Sequence, residues 1–282
     1  MADDDYEEIS EEEKLQIAQH FLLSSPPGQF SEVLADVKAI VPKHLLNDPM
    51  VAGIRRAFSL ASPQLVPIDG SEQKLLLCME AEVNATHYVD AGAGVVRSVD
   101  HLAGTAGSSG SALPKGFKAD ADKAPLQAAL QAALQEYLEA HYVADAGVGV
   151  YHTDGALSIV IAGTKLNLRN YWAGSWNSSW QFDGTELTGK VKIRGHYFED
   201  GNVQLQVEKD IPAITVARGS KQAEEVVKAI SEAEQALQRG LEESYQSMSE
   251  TTLQAIRRVM PITRTKMVWN LAAHRMTSQL KG

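Results

Sequence analysis

The sequence predicts an α+β fold: an N-terminal antiparallel helix bundle, an antiparallel β-meander covered by a long helix, and a C-terminal amphipathic tail helix. Three observations carry this expectation. Apolar residues recur at helical spacing over residues 12–61 and again after Ser220, hydrophobicity alternates with period two from residue 147 to 215, and Pro or Asp-Gly signals punctuate the runs. The regions expected are residues 1–64, helical; 65–123, a small β and loop region; 124–219, one helix plus a five-stranded antiparallel sheet; 220–260, the long helix; and 261–282, the tail.

The first helix places Leu15, Ala18, Phe21 and Leu22 on one stripe, opens with a capping-box pair, Ser10 and Glu13, and closes at Pro26-Pro27-Gly28. A second repeats the pattern with Val33, Val37, Ile40 and Val41 before Pro42. The third begins near Asp48 with Pro49 in its first turn, and the three make a small bundle. LLLCMEAEV and HYVDAG then read as strands, whereas the Gly, Ala and Ser composition of residues 91–122 reads as a flexible loop. APLQAALQAALQEYLEAHYV is a helix by propensity, and its QAALQAAL repeat does not signal a repeat protein.

GVGVYHT and LSIVIAG flank Asp154-Gly155, and GKVKIRGHYF and NVQLQVEK flank Glu199-Asp200-Gly201, each pair with the alternation of a hairpin. Between them YWAGSWNSSW sets Trp172, Trp176 and Trp180 four apart among poor helix formers. Residues i and i+4 share a strand face as well as a helix face, so this stretch is expected to be a strand whose aromatics pack the core. After it, Val226, Ile230, Ala233, Leu237, Leu241 and Tyr245 form one stripe of a helix long enough to cross a sheet. Past Pro261, Trp269, Ala272, Ala273, Met276 and Leu280 fall on one face of the tail helix.

A chain of 282 residues with 44% apolar and 22% charged content can bury one large core or two modest ones. It has no run of about 18 apolar residues for a membrane span. The acidic start lacks the pattern of a secretory leader, and Cys78 is the one cysteine, so a reducing, cytoplasmic setting is expected. Charge is polarised along the chain. Eight carboxylates and no base lie between Asp3 and Glu13, while nothing after Glu250 is acidic. Arg257, Arg258, Arg264, Lys266, Arg275 and Lys281 make that last segment a basic arm, and with a net charge of −10 overall the remainder carries −16. A partner with an acidic surface is implied.

Catalytic motifs are absent. GTELTGKV at residues 184–191 approaches a phosphate-binding loop, but Val191 stands where Ser or Thr must hold magnesium and the glycines fall between strands. GTAGSSG at residues 104–110 lacks dinucleotide-binding spacing. The eight histidines, His141, His152 and His196 among them, have no ligand spacing. No enzyme activity, cofactor or metal is expected. The basic arm lacks aromatic interleaving and a nucleic-acid fold, so nucleic acid is not an expected partner, while anionic lipid remains one.

Three long stretches in order, YWAGSWNSSW, GHYFEDGNVQL and RRVMPITRTKMVWN, with SPPGQF near residue 25, closely resemble the α subunit family of F-actin capping proteins. The resemblance runs from about Lys14 to the end of the sequence. It implies an obligate heterodimer with a similarly folded capping protein β subunit, N-terminal helices forming a stalk, and two five-stranded sheets joined into one antiparallel sheet under a long helix from each subunit. It implies Ca2+-independent capping of the actin filament barbed end, blocking subunit addition and loss, in the cytoplasmic actin cytoskeleton. Within the actin-binding tentacle, Arg258 and Arg264 match the family's basic contacts and Trp269 its tail aromatic, with Lys266, Leu271 and Met276 completing the expected site. Gln254 departs from the usual Lys, and the Gly/Ser/Ala stretch 103–112 departs from a more charged loop. Phosphoinositides and capping-protein regulators are further implied partners. An actin-related filament in dynactin, or a lipid-binding role of the basic arm, are the alternatives.

Overall fold

A computed structural model describes residues 9–142, 145–153, 155–199, 202–248, 251, 262 and 264. The chain divides into two compact units, residues 1–227 and 228–282. In the first unit three helices lead: α1 (Glu11–Leu23), α2 (Phe30–Ile40) and α3 (Asp48–Ala61). The expected capping box closes around Ser10: its hydroxyl accepts from Glu13 N at 3.3 Å and its own N–H donates to Glu13 Oε2 at 2.9 Å. Asn47 caps α3 in the same way, accepting from Met50 N. The bundle core comprises Ala18, Leu22, Phe30, Val37, Leu46, Val51, Ile54 and Phe58.

Two residues expected in that core lie outside it. Phe21 is 57% exposed and Ile40 82%. Leu22 and Ala18 take the centre of the α1 stripe, so Phe21, about 100° around the helix from Leu22, faces outward. Ile40 is the last residue of α2, beyond the reach of α1 and α3.

Next come the hairpin β1 (Gln64–Pro67) and β2 (Lys74–Leu77), then a meander β3 (Glu82–Asn84), β4 (His87–Asp90), β5 (Val95–Asp100) and β6 (Thr105–Ala112). The loop expected over residues 91–122 therefore contains two paired strands. Small residues make the pairing close: a Cβ at Gly110 would sit 2.7 Å from Val95 Cγ2, and Ala106 is fully buried. Composition read as flexibility is here the means of tight strand approach. A short 3₁₀ turn at Lys115–Phe117 leads into α4 (Ala124–His141).

The main sheet is an antiparallel meander of five strands: β7 (Asp145–Thr153), β8 (Ala156–Asn167), β9 (Trp172–Phe182), β10 (Glu186–Tyr197) and β11 (Val203–Thr215), in the order β11-β10-β9-β8-β7. The tryptophan stretch is thus the central strand. Trp180 is 1% exposed, and Trp172 and Trp176 on the same face are half-buried. Gly189 lies opposite Trp180 in the ladder, where a Cβ would stand 2.2 Å from Trp180 Cε3. The glycine of the near-miss phosphate loop therefore makes room for an indole.

Helix α5 (Gln222–Ser247) starts in the first unit, where Gln222 Nε2 donates to Gly184 O at 2.9 Å and Val226 is buried. From Lys228 onward the helix belongs to the second unit. The expected tail helix, residues 265–282, lies outside the described residues. Among the described residues no helix is long and apolar enough to cross a membrane.

Candidate functional site

Of the expected tentacle residues, Arg264 alone is described: it is exposed, non-helical and adopts φ 53, a left-handed conformation uncommon outside glycine. Ile262, beside it, is 95% exposed. Arg258, Lys266, Trp269, Leu271 and Met276 lie outside the described residues.

The main sheet has two unlike edges. At β7, helix α4 lies alongside and its glutamines take the place of a neighbouring strand. Gln127 Nε2 donates to Val150 O at 2.7 Å, Gln131 Nε2 to Val148 O at 3.1 Å, and Gln131 Oε1 accepts from Val150 N at 2.9 Å. The i, i+4 spacing inside QAALQAALQ points both amides at one strand edge while Leu130 and Leu134 are fully buried. From the sequence this repeat reads as propensity alone; glutamines recurring beside the buried leucines of an Ala-rich helix are the signal for the clamp.

At the other edge β11 pairs with β10 only, among the described strands. Its residues are exposed or half-buried on both faces. Lys190 of β10 bridges Glu208 at 2.7 Å and Asp210 at 3.3 Å, and Lys192 reaches Glu208 at 3.8 Å. The outer edge of this 13-residue strand leaves backbone donors and acceptors open to a partner. Helix α1 offers a second open surface, with Ile17 47% and Phe21 57% exposed one turn apart.

Among the described residues no three His, Cys, Asp or Glu side chains gather as metal ligands. Burial pushes the Cys78 thiol far above its usual range, in contact with the fully buried Tyr151 phenol, which leaves it unreactive. A cavity of 1040 Å³ beside α4 is lined by Gln127, Gln131, Lys74, Asp90, Asp145 and His152 among others, and in it Lys74 Nζ bridges Asp145 Oδ2 at 2.8 Å. One polar cluster ties helix to sheet: Arg56 Nε donates to Glu82 at 2.6 Å, Tyr88 Oη donates to Glu82 at 3.1 Å, and His101 Nε2 lies 3.3 Å from Tyr88 Oη and 3.1 Å from Ala85 O.

The open β11 edge and the exposed face of α1 are surfaces suited to assembly, and the comparisons give the family. The family model "F-actin capping protein alpha subunit" matches residues 18–279. The chain belongs to that family.

An F-actin-capping protein subunit alpha of Caenorhabditis elegans is 34% identical, with 97% of this chain and 99% of the relative covered. One of Dictyostelium discoideum is 31% identical over 92% and 94%. A solved structure, the homodimeric actin capping protein alpha subunit from Plasmodium berghei, superposes with a TM-score of 0.70 at 21% identity, covering 89% of this chain and 98% of that one; it supports the fold. Membership in the capping protein α family makes actin filament capping the function of this chain, and the family match includes the basic segment from Arg257 through Arg275, all but Lys281 of its cations.

Proposed function

We propose that the chain is the α half of a two-chain cytoplasmic capping protein that seals the barbed end of actin filaments without making or breaking a bond. The observation that carries this is the family match over residues 18–279, which takes in both the open-edged sheet and the acid-free segment holding Arg258, Arg264, Lys266, Trp269, Leu271 and Met276. In this reading residues 1–64 form the stalk, 65–123 a small β region, 124–219 the helix and sheet, 220–260 the helix over the sheet, and 261–282 the tentacle. The basic segment steers toward the acidic filament end, and the apolar face of the tentacle then slows departure. The same cations give anionic lipid headgroups a competing target.

The partner of first choice is a capping protein β subunit. Exposed Ile17 and Phe21 on α1 and the open β11 edge are the surfaces available to it. A second copy of the chain is the other reading, favoured because the Plasmodium berghei relative is described as homodimeric. Co-expression of the chain with a β subunit, followed by size-exclusion chromatography and seeded pyrene-actin elongation, tests the proposal. One co-eluting species that arrests elongation is expected. A chain that elutes alone, or a pair that leaves elongation unchanged, contradicts it.

A further inference from the structure

Arg55 of α3 is a half-buried cation with no acid in contact with it. Among the described residues its guanidinium makes three hydrogen bonds, all to neutral groups: Nη1 donates to His101 O at 3.4 Å and to Leu102 O at 3.1 Å, and Nη2 donates to Ser31 Oγ at 2.9 Å. Its Cζ lies 5.0 Å from the centroid of the Phe30 ring. Nearby arginines are matched, Arg56 by Glu82 at 2.6 Å and Arg97 by Asp90 at 2.7 Å. Asp100 is the acid whose charge reaches Arg55, but its Oδ1 is turned to Leu102 N at 2.8 Å and Ala103 N at 3.0 Å. Burial lowers the Arg55 pKa, with Asp100 opposing, yet an arginine keeps its proton at neutral pH. A partly desolvated charge that cannot be discharged is stabilised by an anion.

There is room for one. Arg55 and Ser31 border a cavity of 390 Å³ among α2, α3, β1 and the end of β8, within the size range of small-molecule sites. Its wall carries two cations, Arg55 and Lys74, and one carboxylate, Asp145, which Lys74 bridges at 2.8 Å. The unmatched charge is therefore positive. Of the five N–H groups of a guanidinium, the bonds above leave Nε–H and one Nη2–H for a ligand. The exposed Ser31 hydroxyl accepts from Arg55 and keeps its own proton to donate. Three donors suit the three terminal oxygens of a phosphate group better than the two of a carboxylate. Leu65 and Leu166 give another part of the wall an apolar surface.

We propose that this cavity binds a phosphate group, free or carried on a small organic molecule, with Arg55 and Ser31 as the recognising residues. The site is separate from the basic segment assigned above to the filament end.

Phenylglyoxal labelling of the arginines of the full-length chain, read by peptide mass spectrometry, tests this in inorganic phosphate, in phenyl phosphate and, as control, in acetate of equal ionic strength. Either phosphate should slow labelling of Arg55 about tenfold at saturation and leave the exposed Arg169 unchanged. Protection by phenyl phosphate at lower concentration than inorganic phosphate assigns the site to an organic ester, and protection at equal concentration assigns it to the free ion. In calorimetric titration with inorganic phosphate, Arg55→Met should raise the Kd about tenfold or more. Arg55 labelled equally fast in phosphate and in acetate overturns the inference in the wild-type chain, whether or not the variant folds. Protection confined to the arginines of residues 257–275, or an Arg55→Met chain that binds phosphate as tightly as wild type, also overturns it.

Discussion

Gly189 and Trp180 illustrate how far single residues set this fold. The indole occupies the space a Cβ at position 189 would fill, so Gly189→Val overpacks the centre of the sheet and should cost about 1–3 kcal/mol, read as a lowered urea midpoint; an unchanged midpoint would contradict the packing described. His101 makes a second residue-scale prediction. It is 6% exposed, its Nδ1 has no hydrogen-bond partner, and burial, aided by the nearby Arg56 and Arg55 charges, holds its pKa below the ordinary 6.5 against the upward pull of the Ala85 carbonyl and of Glu82. The folded chain therefore stays neutral at His101 where the unfolded chain takes a proton. Above about pH 6.5 the group contributes no pH dependence, and below it stability falls until the lower folded pKa is passed. His101→Gln should flatten the pH 7 to pH 5.5 decline in the urea midpoint; an identical decline in both proteins would exclude His101 as its source. Neither effect was legible in the sequence, because a glycine before Lys190 and a histidine in a loop acquire meaning only from the strand or ring placed opposite them.

At the scale of elements, period-two alternation and caps carried most of the reading. β8, β10 and β11 follow from alternation and turn chemistry, and α1 from Ser10 and Glu13. β6 did not, since TAGSSGSA has low strand propensity and is held by pairing to β5 and by the close approach at Gly110. The glutamine clamp of α4 on β7 was also hidden. Gln131→Leu removes both bonds to the β7 edge and should destabilise the chain by about 1–3 kcal/mol and promote self-association through the bared strand; light scattering and thermal unfolding indistinguishable from wild type would refute that role. The expected site is legible only as a segment. Arg257 to Lys281 stand out because no acid interrupts them, but which of them touch actin depends on a surface outside this chain. Arg258→Ala with Arg264→Ala should slow association with filament ends more than it speeds dissociation, since distributed cations act chiefly on encounter. Capping kinetics equal to wild type would remove those arginines from the site.

On the scale of the whole molecule, the function proposed above gives assembly to the acidic body with its one open sheet edge and filament binding to the basic C-terminal segment. Removing residues 267–282 should leave the pair with a β subunit intact while weakening capping, because the assembly surfaces lie in the first unit; loss of the pair on truncation would contradict that division. The most direct measurement is single-filament fluorescence microscopy of growing actin in the presence of the co-purified pair. The account predicts that fast-growing barbed ends stop while pointed ends continue to elongate. Barbed ends that keep growing at the rate seen without the pair would contradict it.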